Sequence, residues 1–155
     1  MPIGIDEWNL QIGWAVFIGL VAAVEDLRRR QVPNWIPVTA IAGGLAIAIH
    51  DRGWSGAGSS LMGLAAGFAV FFVFYALGAM GGGDVKLMAG FGAVLGWSRI
   101  WEASLWTAAV GGLIALVAIG ASSLRKGRRS SGEQGHAIPY APAIAIGSWL
   151  ALIAH

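Results

Sequence analysis

The chain has 155 residues, 57% of them hydrophobic and only 12% charged, with a mean hydropathy of +0.70. That is too apolar and too poorly charged for a soluble domain of this size, so the expected surroundings are a lipid bilayer. A net charge of +2 and a pI near 9.5 would suit a nucleic-acid partner, but the basic residues stand in short groups beside apolar segments, which membrane topology explains and nucleic acid does not. The absence of cysteine excludes disulfides and any thiolate-held zinc module.

The first apolar segment runs from Leu10 to about Val24. Asp6 and Glu7 precede it where a cleaved signal would carry basic residues, so it reads as a permanent helix. Glu25, Asp26 and the run Arg28, Arg29, Arg30 follow directly and mark an interface. Pro33 disfavours helix at Val32 and Asn34 fits a turn, after which a second segment covers about Trp35 to Ile49. His50-Asp51-Arg52-Gly53 with Ser55 to Gly58 predicts a polar turn, and a third segment runs from about Ser60 to Met80. Gly81-Gly82-Gly83-Asp84 breaks that helix. Val85 to about Trp97 starts a fourth, which at 1.5 Å per residue reaches only ~20 Å. After Ser98-Arg99, a fifth segment covers about Ile100 to Ala121, a polar loop Ser122 to His136, and a sixth segment about Ile138 to Ile153. The expected fold is therefore all-α: a polytopic membrane protein of about six transmembrane helices in one membrane-embedded domain over residues 1–155, with no linker marking a second.

Loop charge sets the orientation. The loops after segments one, three and five hold Arg28, Arg29, Arg30, Lys86, Arg125, Lys126, Arg128 and Arg129, whereas those after segments two and four hold only Arg52 and Arg99. The first set belongs in the cytoplasm, with both termini extracytoplasmic. Trp8, Trp35, Trp54, Trp97 and Trp101 fall near predicted helix ends as an aromatic belt would. The pairs Gly63/Gly67, Gly78/Gly82 and Gly92/Gly96 suit close helix packing in lipid.

Ionisable residues at membrane depth need either a partner or a task. Asp26 ends the first segment and Asp84 opens the fourth, so segment parity places both at one membrane face although they stand 58 positions apart. Two adjacent carboxyl groups share a proton. The ionised member can then activate water while the other protonates a departing amine, which is amide hydrolysis of the aspartic-protease kind. Simpler readings stand beside this one: Asp84 as a helix cap, Asp26 as an interface residue paired with a following arginine. Glu25 lies about 100° from Asp26 around a helix, so spacing admits one of them to a site without saying which. Gly81, Gly82 and Gly83 offer an unhindered backbone, either for an extended substrate or for positive φ. Lys86 could steady the acids or a substrate carboxylate, or serve as a snorkelling anchor. His136, alone in its loop, is assigned no role, and Pro139 and Pro142 shape the start of helix six.

The segment Asp26-Leu27-Arg28-Arg29-Arg30-Gln31-Val32-Pro33-Asn34 resembles the first signature of the type IV prepilin peptidases. Gly81-Gly82-Gly83-Asp84-Val85-Lys86-Leu87-Met88-Ala89 is similar to their Gly-x-Gly-Asp element, and Ile138-Pro139-Tyr140-Ala141-Pro142 to the element opening their last helix. The resemblance spans about the whole chain. It implies Asp26 and Asp84 as the catalytic pair in place of Glu25, with Gly81 to Gly83 and Lys86 as supporting or substrate-binding residues and no metal or other cofactor. It further implies a multi-pass protein of the inner (cytoplasmic) membrane that cuts a pilin or pseudopilin precursor on the cytoplasmic side, after the glycine ending a short basic leader. Larger members add a tetracysteine segment and methylate the new N-terminus. Every cysteine is missing here, so the resemblance points to a compact peptidase-only branch and leaves methylation open. Two other classes remain as alternatives: a proton-coupled transporter, whose acids would sit near the midplane of repeated halves, and a non-catalytic assembly subunit of a pilus or secretion system.

Overall fold

The computed structural model describes residues 5–29, 31–78, 80–125 and 140–153. Among them the chain is entirely helical: α1 (Ile5–Arg29), α2 (Trp35–Ala76), α3 (Gly82–Arg125) and α4 (Ala141–Ile153). A straight helix of the 42 residues in α2 would extend about 63 Å, twice a hydrocarbon core. It does not stay straight, because Gly53 takes φ 61°, ψ −143°, outside the helical region. Gly96 does the same in α3, with φ 74°, ψ 179°. The predicted segments two and three thus join in α2, and four and five join in α3, each pair meeting at one glycine.

Contacts give the direction of each arm. Gly90 of α3 lies on Pro37 and Ala40, and Gly44 on Ala93 and Val94, so the first arms of α2 and α3 run parallel. Gly67 instead lies on Met88, and the Ser60 hydroxyl donates to the Ala93 carbonyl (2.7 Å), so the second arm of α2 runs the opposite way. The chain therefore reverses at Gly53. Helix α4 runs antiparallel to α1, with the Trp149 indole N–H donating to the Ala15 carbonyl (3.1 Å) at one end and the Ala141 amide meeting Asp26 at the other.

Several boundaries differ from the sequence expectation for one reason: a single glycine at positive φ does the work assigned to a longer polar stretch. Helix persists through His50 to Arg52 and resumes at Trp54, so the expected turn shrinks to Gly53. The second break falls at Gly96 rather than at Ser98-Arg99. Helix α2 stops at Ala76, not Met80. Leu77 and Gly78 turn the chain, and positive φ falls on Gly78 and not on Gly81, Gly82 or Gly83. Ser122 and Ser123 are helical, because α3 continues to Arg125. The remainder of that loop, including Lys126, Arg128, Arg129, His136 and Pro139, lies outside the described residues, as does Arg30.

The rod Gly82–Leu95 occupies the centre. Every residue from Leu87 to Gly96 is buried, as expected of a helix that is apolar all round. Glycines let its backbone approach α2 directly: a Cβ added at Gly63 would collide with the Gly92 carbonyl, and one at Gly67 would stand 2.7 Å from the Met88 oxygen. The expected packing role thus holds for Gly63, Gly67 and Gly92. It fails for Gly78, which faces open space, and for Gly82, whose nearest neighbour is the Tyr75 ring at 3.5 Å.

Much of the outer surface is apolar. Phe17, Leu20, Val38, Leu61, Phe72, Leu105 and Leu116 are all exposed, while Asp26, Asp84, Ser60 and Thr107 are buried. A soluble protein would not present such a face. Helices α1 and α2 are long and apolar enough to cross a membrane, and the apolar helices fit a membrane protein. Gly92→Val should force apart a backbone contact that cannot yield. Overpacking of that kind costs about 1–3 kcal/mol or more, and we expect a markedly lower midpoint for thermal unfolding in detergent than for the parent protein.

Candidate active site

Asp26 sits in the last turns of α1 and is only 5% exposed. Its Oδ2 accepts a hydrogen bond from the main-chain N–H of Ala141 (3.2 Å), the first residue of α4. The first amides of a helix have no partner within it, and Pro142 is tolerated in that turn because its missing N–H would have been one of them. The α4 N-terminus therefore presents an unspent donor to a carboxylate contributed from 115 positions earlier in the chain.

Asp84 is the third residue of α3 and 9% exposed. Its Oδ2 accepts the Gly81 N–H (3.3 Å), while its own amide donates to the Gly81 carbonyl (3.2 Å). This is the reach-back half of a capping box, so Asp84 closes its helix from the third position and not from the cap itself.

Both carboxyl groups line one cavity of about 310 Å³, together with Gln31, Val32, Asn34, Gly81, Gly82, Gly83 and Lys86. The chain from Gln31 to Asn34 forms one wall. Its Val32 stands 3.4 Å from where a Cβ on Gly83 would be, and a Cβ on Gly81 or Gly82 would meet nothing closer than 3.5 Å. No clash in this state demands glycine at these positions. What the three residues do is leave that side of the cavity as bare backbone.

Among the described residues, neither acid forms an ion pair with Arg28 or Arg29. Arg29 pairs with Glu25 at 3.1 Å, an ion pair without hydrogen-bond alignment, one turn apart on the surface of α1. Glu25 is thereby engaged away from the cavity and Asp26 is not. Lys86, also expected near the acids, donates to Asn34 Oδ1 (3.0 Å). That bond ties the start of α3 to the turn between α1 and α2. It also explains why Asn34, at the N-cap of α2, makes no side-chain cap to its own helix. Among the described residues, no three His, Cys, Asp or Glu side chains come together in a way that could hold a metal ion.

Of the residues singled out from sequence, Asp26, Asp84, Gly81, Gly82, Gly83 and Lys86 all border the same cavity. Sequence reasoning missed the Ala141 amide, because a main-chain donor carries no residue signature. The one local signal was Pro142, which marks Ala141 as a helix start. It also missed Asn34 as the partner of Lys86, since the two are 52 positions apart and neither is unusual in its own segment.

The model of the type IV leader peptidase family matches residues 14–116, which include both aspartates and the glycine run. Among curated proteins, the chain is 35% identical over 145 residues to a prepilin leader peptidase/N-methyltransferase of Bacillus subtilis, covering 89% of this chain and 54% of the relative. It is 31% identical over 135 residues to the protein of that name from Aeromonas hydrophila, covering 83% and 43%, and 29% identical over 167 residues to that from Stutzerimonas stutzeri, covering 97% and 54%. The chain thus spans about half the length of the curated relatives it matches. No solved structure matches it. With the family model aligned through the helices that carry Asp26 and Asp84, the chain belongs to the type IV leader peptidase family.

Proposed function

We propose that the protein is a membrane aspartic endopeptidase that removes the short basic leader of a type IV prepilin or pilin-like precursor at the cytoplasmic face of the inner membrane. The observation that carries this reading is the pair Asp26 and Asp84 on one cavity, each with an oxygen held by a main-chain amide. Two carboxyl groups facing a confined space resist double ionisation, so the pair keeps one proton. The ionised member takes a proton from water as the water oxygen attacks the scissile carbonyl carbon. The protonated member delivers its proton to the amide nitrogen as the C–N bond breaks. Bare backbone at Gly81 to Gly83 suits an extended substrate strand lying against the cavity.

The names of the relatives include a second activity, methyl transfer. Those names belong to chains about twice as long as this one, and the cavity described above bears on the peptidase activity alone. A proton-coupled transporter is disfavoured by position. Asp26 lies where α1 ends and Asp84 where α3 begins, at one end of the bundle and not half way along it.

Dividing α2 at Gly53 and α3 at Gly96 yields six rods, which we read as six crossings with both termini extracytoplasmic. The absence of native cysteine allows a direct check: single cysteines at Arg29, Gly82 and Arg128 should each react with an impermeant maleimide only from the cytoplasmic side. Labelling of any one from outside overturns the orientation.

For the chemistry, Asp26→Asn and Asp84→Asn should each lower cleavage of a purified pilin precursor by at least about 100-fold, the low end of what a general acid or base contributes, with unchanged helicity and thermal midpoint. Cleavage retained by either variant removes that aspartate from the mechanism. Gly82→Leu should fold normally, since a Cβ at Gly82 would meet only the Tyr75 ring at an ordinary contact distance of 3.5 Å, yet cut the same precursor at least about tenfold more slowly. A wild-type rate would show that the bare backbone is not where substrate lies.

A further inference from the structure

A second cavity, of about 510 Å³, lies between the second arms of α2 and α3, with Phe71, Phe74, Trp101, Leu105 and Ala108 among its walls. Its size is that of a ligand site rather than a packing gap. Phe74, Trp101, Leu105, Ala108 and Gly112 are exposed, so the groove opens sideways onto the apolar outer surface. Its polar groups are few. The Ser104 hydroxyl is spent on the Ile100 carbonyl (2.7 Å), and the buried Thr107 hydroxyl, beside Gly147, has no hydrogen-bond partner.

The groove and the aspartate cavity meet at two single steps of chain. Met80 lines the groove, and its neighbour Gly81 holds Asp84; Tyr140 lines the groove, and its neighbour Ala141 holds Asp26. A chain laid across the two carboxyl groups would therefore pass from a polar chamber with Gln31, Asn34 and Lys86 to a lipid-open trough of aromatic and aliphatic carbon. Resting on the peptidase reading above, we propose that this groove seats the first turns of an apolar substrate helix on the C-terminal side of the bond that is cut, entering laterally from the bilayer. The polar chamber takes the leader side. A lipid acyl chain would fit the apolar walls equally well, but nothing in its chemistry would require the trough to end beside both aspartates.

The experiment uses protein reconstituted in vesicles and a precursor peptide made of a basic leader, a glycine and an apolar helix of about 20 residues. Gly112 lines the groove, and a Cβ there meets no atom within 4 Å, so Gly112→Phe fills the trough without disturbing the fold. Gly58, equally unobstructed but outside the groove, supplies the control Gly58→Phe. Gly112→Phe should raise KM for the precursor at least tenfold with its thermal midpoint unchanged, whereas Gly58→Phe should behave as wild type. In an Asp84→Asn background, Gly112→Cys should form a disulfide with a cysteine in the first two turns of the precursor's apolar helix and not with one near its far end. Wild-type KM in Gly112→Phe, or no cross-link to those first turns while wild-type protein still cuts the same peptide, overturns the groove and leaves the peptidase reading standing. Labelling of Gly112→Cys by a photoreactive lipid that the precursor does not displace also overturns it. Loss of the peptidase reading would show differently, as cleavage that persists in Asp26→Asn or Asp84→Asn.

Discussion

The short rod from Gly82 to Leu95 can occupy the middle of the molecule only because its backbone touches neighbouring backbone. Gly92 against Gly63, Gly67 against Met88 and Gly44 against Val94 each replace a side-chain layer with direct main-chain contact. In lipid, where apolar burial between helices has little driving force of its own, such close approach supplies dispersion contact that larger residues would forfeit. The arrangement also sets where the rod begins. Asp84, three residues into α3, is carried to the level at which α1 ends and α4 starts, so the packing glycines determine the site although none of them borders it.

Breaking a helix inside an apolar bundle frees main-chain groups that water cannot reach, and each one left unpaired is costly. The Gly96 break shows how they are satisfied. The Ala93 carbonyl accepts from the Ser60 hydroxyl (2.7 Å), the Val94 carbonyl from the Gln11 side-chain amide, and the Trp97 N–H donates to Ser59 Oγ (3.2 Å). Three small polar side chains from α1 and α2 thus complete the ends of the two arms of α3. The same bonds pin the far end of the rod, as Gly81 and Asp84 pin the near end. Gly53 reverses the chain in a different setting. Its flank is exposed, and Ser55 needs only to cap the Arg52 carbonyl (2.8 Å).

What the sequence revealed and what it hid follow from this physics. Helical class was legible, because long apolar segments show directly in hydropathy, and so was the meeting of Asp26 and Asp84, which line one cavity. The exact turns were not. Polar clusters such as His50 to Gly58 look like loops, yet one glycine at φ 61° reverses the chain and the residues beside it stay helical. Glycine spacing alone could not separate Gly92, which packs, from Gly78, which turns, because both demand the absence of a side chain for unrelated reasons. Glu25 and Asp26 were also indistinguishable until their faces were known. One turns outward to Arg29, and the other inward to the cavity.

The two aspartates reach that cavity from opposite electrostatic settings. Asp84 lies at the N-terminal end of its own helix, where the peptide dipoles and the Gly81 amide both favour negative charge. Asp26 lies near the C-terminal end of α1, where its own dipoles oppose negative charge, and Arg28 and Arg29 in the same turn answer that end of the helix instead. Support for a charge on Asp26 has to come from elsewhere, and the amide at the start of α4 supplies it. The last helix is therefore more than a wall of the bundle. Through Ala141 it is joined to the first helix by the carboxylate itself, which makes the seating of α4 a condition for the acid pair and ties the catalytic proposal to the segment farthest from Asp26 in the chain.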